Sequence, residues 1–200
     1  MGLGNPGPKY KYTRHNVGFL FLDYLRQSKI KTCTPWIEKK KYQLFEVLEK
    51  DSSILVIKPQ TYMNLSGEAV INIAKEKRII PQEILVIHDD LDIDFGRVKL
   101  KFGGGAAGHK GLLSIISCLG SRDFFRLRIG IGRPVPDSKI SIRDWVLSPF
   151  SKLERDILFE IFEKLIEGLE IFLSLGFEKG STFINSLKFS SNNTSKKVDL

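Results

Sequence analysis

Three histidines and two adjacent aspartates are the side chains of this sequence best suited to acid–base chemistry. The histidines are His15, His88 and His109, and Asp89 and Asp90 follow the second of them. A lone histidine is more often structural, but histidine is also the most frequent general base near neutral pH. A carboxylate on one ring nitrogen fixes the tautomer and leaves the other nitrogen to take a proton from water. His15, at the start of a predicted helix, and an aspartate at a predicted strand end therefore form a candidate pair.

Covalent and metal-dependent mechanisms are disfavoured by the sequence. It has no Gly-x-Ser-x-Gly elbow, and neither Cys33 nor Cys118 has an evident partner, which favours direct attack by activated water over a covalent intermediate. The histidines lack the spacing of metal ligands, so we expect no metal and no other cofactor. The cysteines lack a CxxC spacing, and we expect both to remain thiols, with Cys118 buried.

Two glycine-rich segments match the letters of a dinucleotide fingerprint but not its context. Residues 2–7 have Pro6 and Pro8 where a phosphate-binding helix should begin. Residues 103–108 lie between a predicted strand and helix, but the acidic residue at the right distance, Asp123, falls in a loop. A plain flexible loop or a backbone cradle for an anion explains the second segment better. A nucleotide-dependent enzyme is thus the weakest interpretation, and failure to bind a dinucleotide would remove it.

Alternating helices and strands must position these residues. Apolar periodicity predicts helices, the first with Asn16 as a possible cap, over residues 16–26, 67–78, 111–119 and 153–175. It predicts strands, the first two forming a hairpin, over residues 42–48, 54–57, 84–87, 98–102 and 125–131. The order predicts a single-domain α/β fold with a mixed β-sheet flanked by helices on both faces, in three layers. The domain covers residues 1–189, and the polar residues 190–200 are expected to be a disordered tail.

Composition narrows the class of protein and its partners. The chain has 200 residues, 42% of them hydrophobic and 27% charged, which is typical of one globular domain. No apolar run is long enough for a bilayer span, and no signal peptide opens the sequence, so we expect a cytoplasmic protein without a membrane partner. The net charge of +8 attracts polyanions, of which nucleic acid is the commonest.

An ordered set of motifs resembles bacterial peptidyl-tRNA hydrolases. The motifs are GLGNPG, Tyr10, TRHNVGF at 13–19, KPQTYMNLSG at 58–67, HDDLD at 88–92, GGGAAGHKG at 103–111 and RLRIGIG at 126–132. They span residues 2 to 134 and are far more specific together than any single glycine string. The resemblance implies hydrolysis of the ester that joins a peptide to the terminal ribose of tRNA, by a monomer without a cofactor.

The resemblance also assigns residues by motif position. His15 would be the base and Asp89 its orienting partner, while Asn5 and Asn64 would hold substrate and water with amides that do not titrate. The peptide would contact Tyr10, Tyr62 and Met63. The tRNA phosphates would contact Lys99, Lys101 and Arg128.

Two departures from the family pattern bear on function and stability. Lys110 stands where an asparagine that binds substrate is usual, and we expect it to contact phosphates of the tRNA acceptor end instead. Members of the family usually have a short apolar strand before GLGNPG, whereas here Met1 abuts Gly2. Its absence would leave backbone groups unpaired and expose the adjoining core, so either the true start lies upstream or this version is less stable. A noncatalytic RNA-binding protein on the same fold is the alternative function, because function lives in sites rather than folds.

Overall fold

The computed structural model describes residues 1–28, 32–49, 53–136 and 138–190. Its helices are α1 (Val17–Gln27), α2 (Ser66–Lys77), α3 (Lys110–Leu119), α4 (Ile142–Leu147), α5 (Lys152–Leu175) and α6 (Phe177–Ser186). Its strands are β1 (Ile37–Glu38), β2 (Tyr42–Leu48), β3 (Ser53–Pro59), β4 (Leu85–Asp90), β5 (Val98–Phe102) and β6 (Phe125–Gly130). The predicted α/β class is confirmed. The hairpin residues 50–52 and the tail residues 191–200 lie outside the described part of the chain.

The strands form two three-stranded sheets that meet at the first residues of the chain. One sheet is antiparallel, in the order β1–β2–β3; the other has the order β4–β6–β5, with β4 parallel and β5 antiparallel to β6. Residues 1–3 lie between β3 and β4, where Gly2 N donates to the Ile57 carbonyl at 3.1 Å and Leu3 N to the Ile87 carbonyl at 2.9 Å. The first three residues therefore connect the sheets, at the place where members of the family usually have a longer strand.

A largely apolar cavity lies beside Met1, next to the segment that joins the two sheets. The cavity has a volume of about 330 Å³ and is lined by core side chains of α1, β3 and α5, among them Leu22, Val56 and Ile166. Inside the protein, the Met1 amino group donates to the Leu85 carbonyl at 2.6 Å, although the residue as a whole is half-buried. Burial lowers the pKa of this amino group to about 5.

Helices cover both faces of the sheet that carries β4. Successive strand side chains point to opposite faces: Ile87 packs in a cluster with residues of α1 and α5, while Val86 packs with residues of α2 and α3. This is the predicted three-layer arrangement. Close approach of α1 to the strand depends on Gly18, where a Cβ atom would lie only 2.5 Å from the Ile87 carbonyl oxygen.

Some local predictions were incomplete or wrong. β1, α4 and α6 were not predicted, because β1 and α4 are too short to show a period and only Gly176 separates α6 from α5. Asn16 precedes α1 but its side chain makes no capping hydrogen bond. Cys118 is half-buried rather than buried, since α3 exposes one edge there. Among the described residues, no helix is both long and apolar enough to cross a membrane.

Candidate active site

A cleft of about 860 Å³ opens where β4 ends. Its walls come from the 3₁₀ turn Arg14–Asn16, the 3₁₀ turn Met63–Leu65, the glycine-rich loop before α3, and α4. In open α/β folds the carboxyl ends of the strands are the usual place for ligands. Two buried carboxylates, Asp89 and Asp90, lie at this end of β4.

Two histidines bind one carboxylate at the bottom of the cleft. His15 Nδ1 lies 2.8 and 2.9 Å from the two carboxylate oxygens of Asp89, and His109 Nε2 lies 2.9 Å from Oδ1 of the same group. His15 therefore donates from Nδ1, and its Nε2 has no hydrogen-bond partner among the described residues. An imidazole held in this tautomer can accept a proton at Nε2.

The tautomer of His109 is set by the start of α3. His109 is the N-cap residue, and its Nδ1 accepts from the backbone N–H groups of Gly111 at 3.1 Å and Leu112 at 3.3 Å. Because Nδ1 is an acceptor, the ring proton sits on Nε2 and is donated to Asp89. The backbone of α3 thus fixes the donor that steadies the carboxylate.

The electrostatics of this group favour an ionised Asp89 and a basic His15. Burial works to raise the pKa of Asp89, but His15 and His109 outweigh it and hold that pKa well below its usual range. Burial also works to lower the pKa of His15, but the charge and hydrogen bond of Asp89 raise it above its ordinary value, against an opposing effect of Lys110. His15 is thereby made a stronger base than a free imidazole.

His88 takes a structural part beside these groups. Its Nδ1 donates to the backbone carbonyl of Asp89 at 2.7 Å, and its side chain is almost fully buried. Burial, followed by the neighbouring His109, lowers the pKa of His88 to about 3. His88 is therefore neutral at physiological pH and supports the end of β4.

The histidines lack metal-ligand spacing in the sequence, but the fold brings two of them and a carboxylate together. Ligand atoms of His15, Asp89 and His109 lie within 4.8 Å of one another. The hydrogen bonds nevertheless do not suit a cation, since Nε2 of His109 carries the proton that its capping role requires and presents no lone pair.

Asn5 is held rigidly at the edge of the cleft. Its Oδ1 accepts from Met63 N at 2.8 Å. The amide Nδ2 takes no part in this contact and can donate to another group. Its backbone is bound at both polar groups by the side chain of Asn16, at 2.8 and 2.9 Å. The GLGNPG and TRHN motifs are thus joined through these two asparagines, which explains why Asn16 does not cap α1.

The other predicted site residues are divided between the cleft and its surroundings. Tyr62, Met63, Asn64, Lys101, Lys110 and Arg128 line the cleft. Tyr10 does not line it but packs edge-on against Tyr62, with ring centroids 6.5 Å apart. Lys99 is exposed on β5 away from the cleft. Arg128 is bound to Asp90 through Nε at 2.7 Å, so part of its charge is already balanced.

Sequence reasoning did not assign site roles to His109, Asn16 and Arg14. Arg14 lies next to the base and is buried, with two hydrogen bonds to Glu154 at 2.8 and 3.2 Å and its guanidinium 3.9 Å from the Trp145 ring centroid. It fastens the His15 turn to α4 and α5. For His109, the position directly after a glycine-rich loop and before a helix was a usable sign of an N-cap.

Comparison with known proteins gives a consistent result. A profile of the peptidyl-tRNA hydrolase family matches residues 1–194. The peptidyl-tRNA hydrolase of Sulfurihydrogenibium sp. (strain YO3AOP1) is 45% identical over 185 residues, 92% of this chain and 95% of that protein. That of Pseudothermotoga lettingae is 41% identical over 186 residues, 93% of this chain and 95% of that protein. The crystal structure of peptidyl-tRNA hydrolase from Acinetobacter baumannii superposes with a TM-score of 0.84 at 32% identity, covering 94% of this chain and 93% of that one.

Proposed function

The chain belongs to the peptidyl-tRNA hydrolase family, and on that basis we propose how its residues cut the ester bond of peptidyl-tRNA. The activity is release of free tRNA and peptide by hydrolysis. We propose that His15 is the general base and Asp89 its orienting partner. The observation that carries the proposal is the pairing of His15 Nδ1 with both carboxylate oxygens of the buried Asp89, at 2.8 and 2.9 Å. The alternative of a noncatalytic RNA-binding protein has no support from the relatives.

In the proposed reaction, Nε2 of His15 takes a proton from water as the water oxygen attacks the ester carbonyl carbon. The developing imidazolium is stabilised by the Asp89 carboxylate, which stays ionised. The carbon–oxygen bond to the terminal ribose then breaks, and the proton on Nε2 passes to the ribose oxygen. The peptide leaves with a new carboxyl group, which loses the second water proton to solvent, and the tRNA leaves with a free hydroxyl group.

Amides at the cleft are proposed to position the reacting groups. Asn5 is locked through its Oδ1 and backbone, so its Nδ2 is a fixed donor for the ester carbonyl or the water. Asn64 is exposed in the neighbouring 3₁₀ turn and is free to meet the substrate. A fixed neutral donor stabilises the developing oxyanion without reorganisation and without titrating.

The two ends of the substrate are proposed to lie on different walls. Tyr62 and Met63 offer apolar surface to the peptide, and Tyr10 supports them by its contact with Tyr62. Lys101 and Arg128 lie on the basic wall formed by β5 and β6, where tRNA phosphates would bind. Lys99 is expected to contribute only to long-range attraction, because it lies outside the cleft.

The function is tested by measuring the release of a labelled N-acetylated amino acid from tRNA. No metal is added beyond that needed to fold the tRNA. The proposed chemistry predicts steady turnover without an initial burst, because no acyl-enzyme accumulates. A burst equal to the enzyme concentration would contradict direct attack by water.

We also propose that residues 1–189 act as one catalytic domain, in the cytoplasm and as a monomer. One chain supplies the proposed base, its carboxylate partner and both amides, which supports a monomer. Light scattering of an active sample tests the assembly state. Activity that appears only in a dimer fraction would contradict it.

A further inference from the structure

The cations that line the cleft fall into two groups. Arg128 and Arg133 are ion-paired with Asp90 and Asp92, at 2.7 and 2.6 Å. Arg126 donates to the backbone carbonyls of the glycine-rich loop. These three side chains already have protein partners, so their charges are partly balanced before any substrate arrives.

Lys101, Lys110 and Arg143 belong to the second group. All three side chains line the cleft, and none of them forms a hydrogen bond or ion pair with any residue that the structure describes. Lys101 lies on the β5–β6 wall already proposed to bind tRNA phosphates, which leaves Lys110 and Arg143 to be explained. Lys110 is the first residue of α3, where the partial positive charge of the helix terminus disfavours a cation. Its charge also acts on the base, since it works to lower the pKa of His15. An unbalanced cation at this position is stabilised when an anion binds next to it.

Arg143 faces the same cleft from another element whose position relative to the base is fixed. It lies in α4, which Trp145 ties to the Gly132 carbonyl at 2.8 Å. The guanidinium of Arg14, directly before His15, packs on the ring of Trp145. The base and Arg143 are therefore parts of one connected structure, and His15, Lys110 and Arg143 line the same cleft.

We propose that Lys110 and Arg143 bind the phosphates of the single-stranded 3′ end of the tRNA, next to the esterified ribose. This assignment rests on the proposed function. The ester lies on the terminal ribose, so the first phosphate is only one sugar away from it. The contact selects substrates whose ester is carried by an oligonucleotide over esters of a bare nucleoside.

Two substrates that differ only in phosphate test the proposal. One is an N-acetylated aminoacyl ester of adenosine, without phosphate; the other carries the same ester at the end of a CCA trinucleotide. The variants are Lys110→Gln and Arg143→Gln, with Lys75→Gln as a matched control, because Lys75 is exposed on α2 and outside the cleft. The readout is kcat/KM for both substrates between 50 and 200 mM salt.

The expected result is a lower ratio of kcat/KM for the trinucleotide over the nucleoside ester in both variants. Each lost phosphate contact should make the slope of log(kcat/KM) against log[salt] less steep by about 0.7. Between 50 and 200 mM salt, kcat/KM of the wild type should therefore fall by a factor about 2.6 times larger than that of a variant. The control should keep the wild-type ratio and slope.

Two outcomes overturn the proposal. An equal loss on both substrates would place the Lys110 charge at the ester itself rather than at a phosphate. An unchanged ratio and slope would show that neither cation meets the substrate. A wild type that hydrolyses neither ester nor peptidyl-tRNA would instead refute the proposed function.

Discussion

His109 offers a test of how the carboxylate is held, because its two ring nitrogens have separable tasks. Nδ1 caps α3 and Nε2 donates to Asp89. His109→Asn keeps a good N-cap residue but is too short to reach the carboxylate. His109→Ala loses both functions. The pair of variants therefore separates positioning of Asp89 from stability of the helix.

The expected loss follows from the burial of the carboxylate. The Asp89 side chain is 2% exposed, so water cannot readily replace the lost donor. A hydrogen bond to a charged group contributes about 1.5–3 kcal/mol, and a tenfold change in rate corresponds to about 1.4 kcal/mol. We expect kcat to fall by about 10-fold to 150-fold in both variants. Only His109→Ala should lose a further ~1 kcal/mol of unfolding free energy through the missing cap.

A shift in the pH profile distinguishes positioning from a structural role. With one donor fewer, the negative charge of Asp89 acts more strongly on His15 and raises the pKa of the base further. The acid limb of kcat/KM, measured between pH 5 and 9, should move to higher pH in both variants. If the limb stays in place and kcat falls only in step with thermal stability, the role assigned to His109 is refuted.

Two further predictions concern the same groups. Asp89→Asn should lower kcat by about 10⁴-fold, since the amide no longer fixes the His15 tautomer; single-turnover rates that fall less than tenfold would contradict this. In the wild type, kcat/KM should rise with pH through a pKa above that of free histidine, because Asp89 raises the pKa of His15; a midpoint below that of free histidine would oppose it.

The contact between His15 and Asp89, the proposed base and its partner, could be anticipated from sequence because each residue has a local mark. His15 follows a glycine and proline loop at a helix start, and Asp89 ends a continuous apolar strand. His109 was not assigned, because its partner Asp89 lies 20 residues away and only the turn of the glycine-rich loop brings the two together. The spacing of the three histidines in the sequence likewise gave no sign that the fold brings them together.

Other parts of the fold depend on contacts that no local pattern encodes. The register of β4 with β6 pairs Arg128 with His88, two residues before Asp90 on the same face of the sheet. The Arg128 side chain reaches Asp90, so a residue predicted to contact tRNA phosphates is partly neutralised. α4 has only six residues and is held by Trp145 and Arg14, which meet through tertiary packing.

The role of His15 as the base is tested most directly by comparing the wild type with His15→Ala on peptidyl-tRNA, with equilibrium binding of uncharged tRNA measured in parallel. The substitution should lower turnover by about a hundredfold to ten-thousandfold, the range for loss of a general base, while tRNA affinity is retained. A folded variant that keeps most of its turnover would contradict the assignment of His15 as the base.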